Sequence, residues 1–275
     1  MTATDIKSMQ LYPRAERILD DLAHIGFPND ASVPVGILNR FDKLHYHGTD
    51  ALDVAIAACG ITSGQKVLEV GSGWGGCARH IAHATGAQVT AVELQDDYHA
   101  IGAALTQRAG LSDQVSHVNA DFLQWTVPQG GFDHVVSWLA LFHIPDRQAY
   151  LSRITSALRP GGSLFAEDLY EIAPPPAEEV DDFKQHLFPN SLMPLEAYTS
   201  SLASSGMRLQ RMDDMTSDWT AFTQDRLAAF RENRGSYEAV HGADGYRVIE
   251  TFYTKMAGYF SRGLVGGLRV HARKP

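Results

Sequence analysis

Apolar and polar positions follow two rhythms along this chain. Between Lys66 and Tyr170, short apolar runs recur between polar or glycine-rich turns: "KVLEV", "AQVTAVEL", "QVSHVNA", "FDHVVSW" and "SLFAEDLY". Each has the length and β-branched content of a buried strand. Helical periodicity fills the intervals. One helix follows the first run and ends at Gly86, another spans Asp96 to about Ala109, and "DRQAYLSRITSAL" is stopped by "RPGG". Strands alternating with helices in this way predict an α/β fold, a doubly wound and mostly parallel sheet with helices on both faces.

The flanks read differently. The first 45 residues predict one helix starting near Pro13, followed by the polar connection "FPNDASVPVG". Thr49 is placed to cap a helix through "DALDVAIAAC", which Gly60 ends. After Tyr170 comes "EIAPPPAEEVDDFKQHLFPNSLMP", proline-rich and acidic, which reads as a surface excursion. A helix ("LEAYTSSLASSG"), a strand ("MRLQRMDDM"), two helices from Trp219 to about Arg262 and a last strand ("LVGGLRVHARK") complete the pattern. The expected organisation is an N-terminal helical cover (1–60), a core (61–170), and a lid insertion with C-terminal completion of the same sheet (171–275). The insertion follows strand five, where a lid over the carboxyl edge of the sheet would start.

Composition narrows the function classes. A chain of 275 residues, 44% hydrophobic and 20% charged, describes an ordinary globular protein. The net charge of −9 argues against a nucleic-acid partner, which usually meets a basic face. The two cysteines, Cys59 and Cys77, lack CxxC spacing, so neither a disulfide framework nor a structural zinc is indicated, and no metal is expected. His80 and His83 fall three apart on a helix and read as a surface pair. No stretch is apolar enough to span a membrane and the N-terminus has no apolar signal core, so a cytoplasmic location is expected.

The candidate chemistry starts at Gly71, Gly73 and Gly76, which satisfy GxGxxG directly after the first strand. Glycines there allow a sharp turn and close approach of a ligand to the backbone. Glu93, ending the second strand, can accept hydrogen bonds from both hydroxyls of a ribose. These two features serve a dinucleotide or S-adenosylmethionine (SAM) equally. Asp121 closes the third strand, where its carboxylate can accept from an adenine amino group while the Phe122 amide donates to the ring.

In order, the motifs are Glu69-Val70-Gly71-Ser72-Gly73-Trp74-Gly75, Glu93, Asp121 and Leu158-Arg159-Pro160-Gly161-Gly162. Over residues 60 to 170 this order resembles the class I SAM-dependent methyltransferase superfamily. The resemblance implies a Rossmann-like fold with a seven-stranded sheet, and SAM as cofactor. It implies that Glu69 helps organise the methionine end through the loop, and that Gly71 and Gly73 let the amino acid and ribose lie against the backbone. It implies also that Glu93 takes the ribose and Asp121 and Phe122 the adenine, and that Ser72 and Leu94 belong to the same cofactor-binding set. Trp138 would offer its backbone carbonyl to the ammonium. SAM carries no phosphate, and no lysine stands between Lys66 and Lys184. Trp74 is atypical for a position that must stay clear of ligand, and is expected to face the helix instead.

For the acceptor, "SWLALFHIPD" puts His143 just beyond strand four. This resembles the small-molecule N-methyltransferases, notably those of phosphoethanolamine, in which a histidine here acts with an N-terminal tyrosine. Tyr46 in "FDKLHYHGTDAL" is the candidate partner, in a stretch also similar to the sarcosine- and tocopherol-type enzymes. One departure is Leu139, where the phosphoethanolamine family has an Asp. Glu167 and Asp168 end strand five on opposite faces. A carboxylate in a cleft there can bind an ammonium or take a proton, and Asp168 is the candidate. "FPNSLMP" resembles a lid segment of several small-molecule methyltransferases. The expected activity is methyl transfer to a small-molecule acceptor, an amine nitrogen first, with O-, S- or C-methylation as the alternative. A protein or nucleic-acid methyltransferase, or a SAM-binding protein without turnover, fits less well, and a homodimer is compatible with the sequence.

Overall fold

From Lys66 onward the chain builds one seven-stranded sheet around which everything else packs. The computed structural model describes residues 14–275. Its strands are β1 (Lys66–Val70), β2 (Gln88–Glu93), β3 (Val115–Asn119), β4 (Phe132–Trp138), β5 (Leu158–Glu171), β6 (Arg208–Asp214) and β7 (Val265–Arg273). They lie in the order β3-β2-β1-β4-β5-β7-β6. Strands β1 to β5 run parallel, and β7 enters antiparallel to both β5 and β6. This is the doubly wound, mostly parallel sheet expected. Chain order reverses between β1 and β4, so the loops after these two strands leave in opposite directions and open a crevice at the carboxyl edge.

The helices before β4 are α1 (Arg17–His24), α2 (Val35–Leu38), α3 (Gly48–Cys59), α4 (Gly76–Thr85) and α5 (Asp96–Arg108). After it come α6 (Arg147–Ala157), α7 (Val180–Leu187), α8 (Leu195–Ser204), α9 (Thr216–Glu232) and α10 (Arg234–Ser261). One face of the sheet packs on α3 and α4, with Leu52, Ile81, Val67 and Val136 in the seam. The other packs on α6 and α8 through Tyr150, Ile154, Leu202 and Val135. A third cluster sits over the carboxyl edge and joins cover, lid and C-terminal helices: Tyr46, Phe142, Phe183, Leu187, Trp219 and Phe260.

Several boundaries differ from the sequence reading. The predicted start near Pro13 lies outside the described residues, and the cover is two helices, α1 and α2, not one. Helix α3 begins at Gly48 after a left-handed His47 (φ 57°), so Thr49 lies inside it and caps nothing. Strand β5 already includes Arg159-Pro160-Gly161-Gly162. Gly161 (φ 75°) bends there and its amide donates to the Lys274 carbonyl at 3.0 Å, which binds this stretch to the end of β7. The proline-rich excursion contains α7, whose Phe183 and Leu187 are buried because they fall four apart on one face. Helix α10 is broken at Gly242 (φ 73°). Gly267 of β7 is bare where the Trp219 indole lies against the strand, and any Cβ would collide with that ring.

Candidate active site

The crevice at the switch point is a cavity of about 650 Å³, within the size range of small-molecule sites. Its floor at one end is the glycine turn after β1. Gly71 (φ 75°) and Gly73 (φ 51°) are both left-handed, and both line the cavity. A Cβ on Gly71 would strike Ala140 after β4, and one on Gly73 would lie 2.9 Å from the Leu44 side chain. The turn is therefore bare because the cover and the β4 loop close on it. Gly76 serves packing instead: a Cβ there would lie 2.7 Å from the Asp42 carboxyl carbon.

Glu93 is buried and lines the cavity. Its Oε2 accepts from the Gly73 amide at 2.7 Å and its Oε1 from the Gln95 amide at 2.9 Å. Burial pushes its carboxyl upward, and the amides of Gln95, Gly73 and Leu94 pull back. The three amides leave part of the carboxylate's acceptor capacity open toward the cavity. Asp121 also lines the cavity, with Oδ1 accepting from the Leu123 amide at 2.8 Å, and Phe122 and Leu94 stand beside it. Asp96 and Asp97, at the start of α5, add two more carboxylates to this end. Arg14 lines the cavity as well, and no sequence motif marked it.

Glu69 and Ser72 do not line the cavity. Glu69 is buried below the turn, beside Cys77 and the start of α4, and burial pushes its carboxyl up to about 8. One of its oxygens, Oε2, has no partner. The Ser72 amide donates to the Val92 carbonyl at 3.0 Å, so its contribution is the shape of the turn. Beneath the turn, Arg79 and Lys43 both bind Asp42, at 2.9 and 2.7 Å. Burial opposes its charge, yet these two cations hold Asp42 below the usual carboxylate range. Trp74 turns away from the cavity, as expected. Its Nε1 donates to the Ala15 carbonyl at 3.0 Å and its ring stacks on Tyr98, so it fastens α1 to the core.

The other end of the cavity is reached through Trp138, the last residue of β4. Leu139 follows with φ 51°, a strained conformation for a leucine that turns the chain sharply into a single 3-10 turn, Leu141–His143. His143 is buried and lines the cavity. Burial lowers its imidazole to about 4, so the ring is neutral. Tyr46 lines the same cavity, edge-on to Trp219 with ring centroids 5.0 Å apart, and Arg226 lies 5.0 Å above its ring. Burial raises its phenol to about 12. No direct hydrogen bond joins His143 to Tyr46. His45 is buried and neutral, its Nε2 donating to the Gly48 carbonyl at 2.9 Å, and His47 binds Asp218 at 2.6 Å.

Asp168, the acidic candidate from the sequence, lies behind the cavity wall. It is fully buried and does not reach the cavity. Its Oδ1 accepts from the Phe142 amide at 3.2 Å, its Oδ2 from the Tyr198 hydroxyl at 3.1 Å, and Arg147 lies 3.8 Å away. With these partners it anchors the loop that carries His143. Its neighbour Glu167 is equally committed, to Arg269 at 2.7 Å. The end of the cavity beyond Trp138 is instead lined by Phe142, Leu169, Leu187, Phe252 and Met256. Phe252 and Met256 fall four apart on α10, a spacing that signals burial but not what is buried against it.

The sequence comparisons agree with this geometry. Residues 67–162 match the family described as "Methyltransferase domain". A sterol 24-C-methyltransferase of Eremothecium gossypii is 41% identical over 103 residues, which cover 38% of this chain and 28% of that enzyme. The chain thus spans little more than a quarter of that relative. Among solved structures, phosphoethanolamine N-methyltransferase 2 of Haemonchus contortus, in complex with phosphomonomethylethanolamine and S-adenosylhomocysteine, superposes with a TM-score of 0.77 at 20% identity. That match covers 88% of this chain and 57% of the other. The cyclopropane synthase MmaA2 of Mycobacterium tuberculosis gives 0.71 at 18% identity, covering 96% and 100%. Residues 67–162 thus carry the match to a methyltransferase domain, and the likeness of fold extends beyond them over the rest of the described chain.

Proposed function

We propose that this chain moves a methyl group from SAM to an apolar small-molecule acceptor, with His143 as the base. The cavity suits the cofactor on its own evidence. The turn at Gly71 and Gly73 leaves no side chain where the ligand must pass, and Glu93, Asp121, Asp96 and Asp97 give the adenosine end the negative charge that a cationic ligand favours. Glu93 would hold the ribose, Asp121 and Phe122 the adenine, and the Trp138 carbonyl the ammonium. When bound, the cofactor supplies an electrophilic methyl on sulfonium.

The chain's own residues then have three tasks. The cradle fixes the methyl donor relative to the acceptor, and such positioning can supply roughly 7–11 kcal/mol of the barrier. The apolar wall of Phe142, Leu169, Leu187, Phe252 and Met256 excludes water and selects the acceptor. His143, neutral and at the cavity surface, removes the proton that the acceptor sheds after gaining a methyl. The aromatic faces of Tyr46 and Trp138 favour positive charge developing nearby.

The observation that carries this reading is the pairing of a carboxylate-rich adenosine end with an acceptor end that has none among the described residues. A charged amine would be desolvated there without a counter-ion, so an alkene carbon or a weakly acidic group fits better. The partial match to a sterol C-methyltransferase supports the same choice. An amine nitrogen is the second reading, supported by His143 and Tyr46 together, since a neutral imidazole can orient an uncharged amine by accepting its N–H. The test is S-adenosylhomocysteine formation with a panel of isoprenoid, unsaturated lipid, phenolic and amine acceptors. Methylated apolar product supports the proposal. Turnover confined to small hydrophilic amines overturns it.

A further inference from the structure

The segment Phe188–Ser191, between α7 and α8, is stitched to the 3-10 turn that carries His143. The Ser191 amide donates to the Phe142 carbonyl at 2.9 Å, and the Ser191 hydroxyl lies 3.2 Å from the Leu141 carbonyl. Asn190 donates its Nδ2 proton to the carbonyl of His143 itself at 2.9 Å. The Ser191 carbonyl is in turn held by Arg147 at 2.8 Å, beside the buried Asp168. Phe188 closes α7 in a left-handed conformation (φ 50°), which directs its carbonyl to Nδ1 of His143 at 3.0 Å.

That last contact decides the chemistry of the ring. A carbonyl oxygen can only accept, so Nδ1 must carry the proton. A neutral imidazole has one N–H, which leaves Nε2 as a lone pair. Nε2 takes no partner among the described residues. We propose that Phe188, Asn190 and Ser191 are positioning residues for His143, locking it in the tautomer whose bare Nε2 serves as base, so that the base is armed only while this segment is docked.

Two physical consequences follow. With the segment undocked, Nδ1 loses its acceptor, and the ring is free to take either tautomer, to rotate or to charge. Docking also places Leu187, directly before Phe188, in the acceptor wall. Closing the apolar cavity and arming the base are therefore one event, which keeps the base silent in an open, wet site. Burial and the Phe188 carbonyl are the influences on this ring, so its state reports the docking directly.

The inference rests on His143 being the base, and its test separates the two ideas. Ring nitrogen shifts of His143 are read by NMR in histidine-labelled protein at neutral pH without cofactor, assigned by comparison with His143→Gln. The expected spectrum shows Nδ1 protonated and Nε2 bare. Asn190→Ala and Ser191→Ala should each introduce the second tautomer and lower kcat by roughly 10- to 100-fold through misplacement of the base, with SAM affinity within about 2-fold of the parent, since neither residue lines the cofactor cradle. Asn190→Gln, which keeps the amide donor, should recover part of both signals. A parent spectrum with Nε2 protonated overturns the lock, as do Asn190→Ala and Ser191→Ala spectra and rates identical to the parent. Wild-type turnover in His143→Ala would instead remove the base assignment while leaving the tautomer lock standing.

Discussion

Glu93 Oε2 accepts the Gly73 amide proton at 2.7 Å, so this cavity-lining acid and the glycine turn are joined before any ligand arrives. The carboxylate is aimed by backbone, not by ligand. Glu93→Ala should therefore both remove the diol acceptor and loosen the turn, weakening SAM binding by about 1–3 kcal/mol. Calorimetry returning the parent affinity would remove Glu93 from the cofactor site.

Gly71→Ala tests the other side of that cradle. The added methyl would collide with Ala140, and φ of 75° disfavours any Cβ. The turn must shift away from the β4 loop, and the expected result is loss of detectable SAM binding with a cooperative unfolding transition retained. Binding at parental strength would show that the turn does not meet the cofactor.

His143→Ala should lower kcat by roughly 10²- to 10⁴-fold, the range for a positioned general base, with little change in SAM affinity. Pre-steady-state measurement of a single methyl transfer checks this without interference from product release. A parental rate would place the base elsewhere.

Tyr46→Phe separates packing from chemistry. The ring contacts with Trp219, Phe222 and Phe260 survive, and only the hydroxyl is lost. The thermal midpoint should move by no more than a few degrees, as for a change of about 1 kcal/mol or less, while kcat falls. If both stay fixed, the hydroxyl has no part in turnover.

Stability should depend on pH in two opposite ways. Burial depresses His45 to about 3 and His117, His134 and His143 to about 4, against 6.5 when exposed. The unfolded chain binds more protons in that window, so this contribution is present above pH 6.5 and is lost as pH falls toward 4. Glu69 acts in the reverse sense. Its raised carboxyl, about 8 against 4.5, contributes stability below 4.5 that is lost as pH rises through 8. Thermal melts across pH should show a steep acid decline in the parent, and Glu69→Gln should flatten the alkaline limb alone. An unchanged alkaline limb would show that Glu69 is not the group responsible.

The sequence made the cofactor half of the molecule legible because its requirements are local. Bare backbone at Gly71 and Gly73, an acid at the end of β2 and another after β3 are each set by position along one strand. The acceptor half is built from residues far apart in sequence. Alternation showed that Asp168 and Glu167 point to opposite faces, but nothing in the chain announced that Arg147 and Tyr198 would claim one and Arg269 the other. Leu187 was hidden in a stretch whose prolines and acids suggested surface. Arg14 and Phe252 reach the cavity only through the packing of α1 and α10, which no spacing rule encodes.

Strand β7 sits between β5 and β6 although it is the last of the seven to be made. As the chain emerges from the ribosome, β1 to β5 can assemble by residue 171, whereas β6 has no neighbour until residues 265–273 appear. A growing polypeptide can therefore shape the Gly71–Glu93 side of the cavity well before Phe252 and Met256 of α10 exist to close the other side. Premature termination anywhere between α9 and β7 would leave an unpaired β5 margin open to stray strand pairing, a liability located at the seam where late-made backbone joins the sheet.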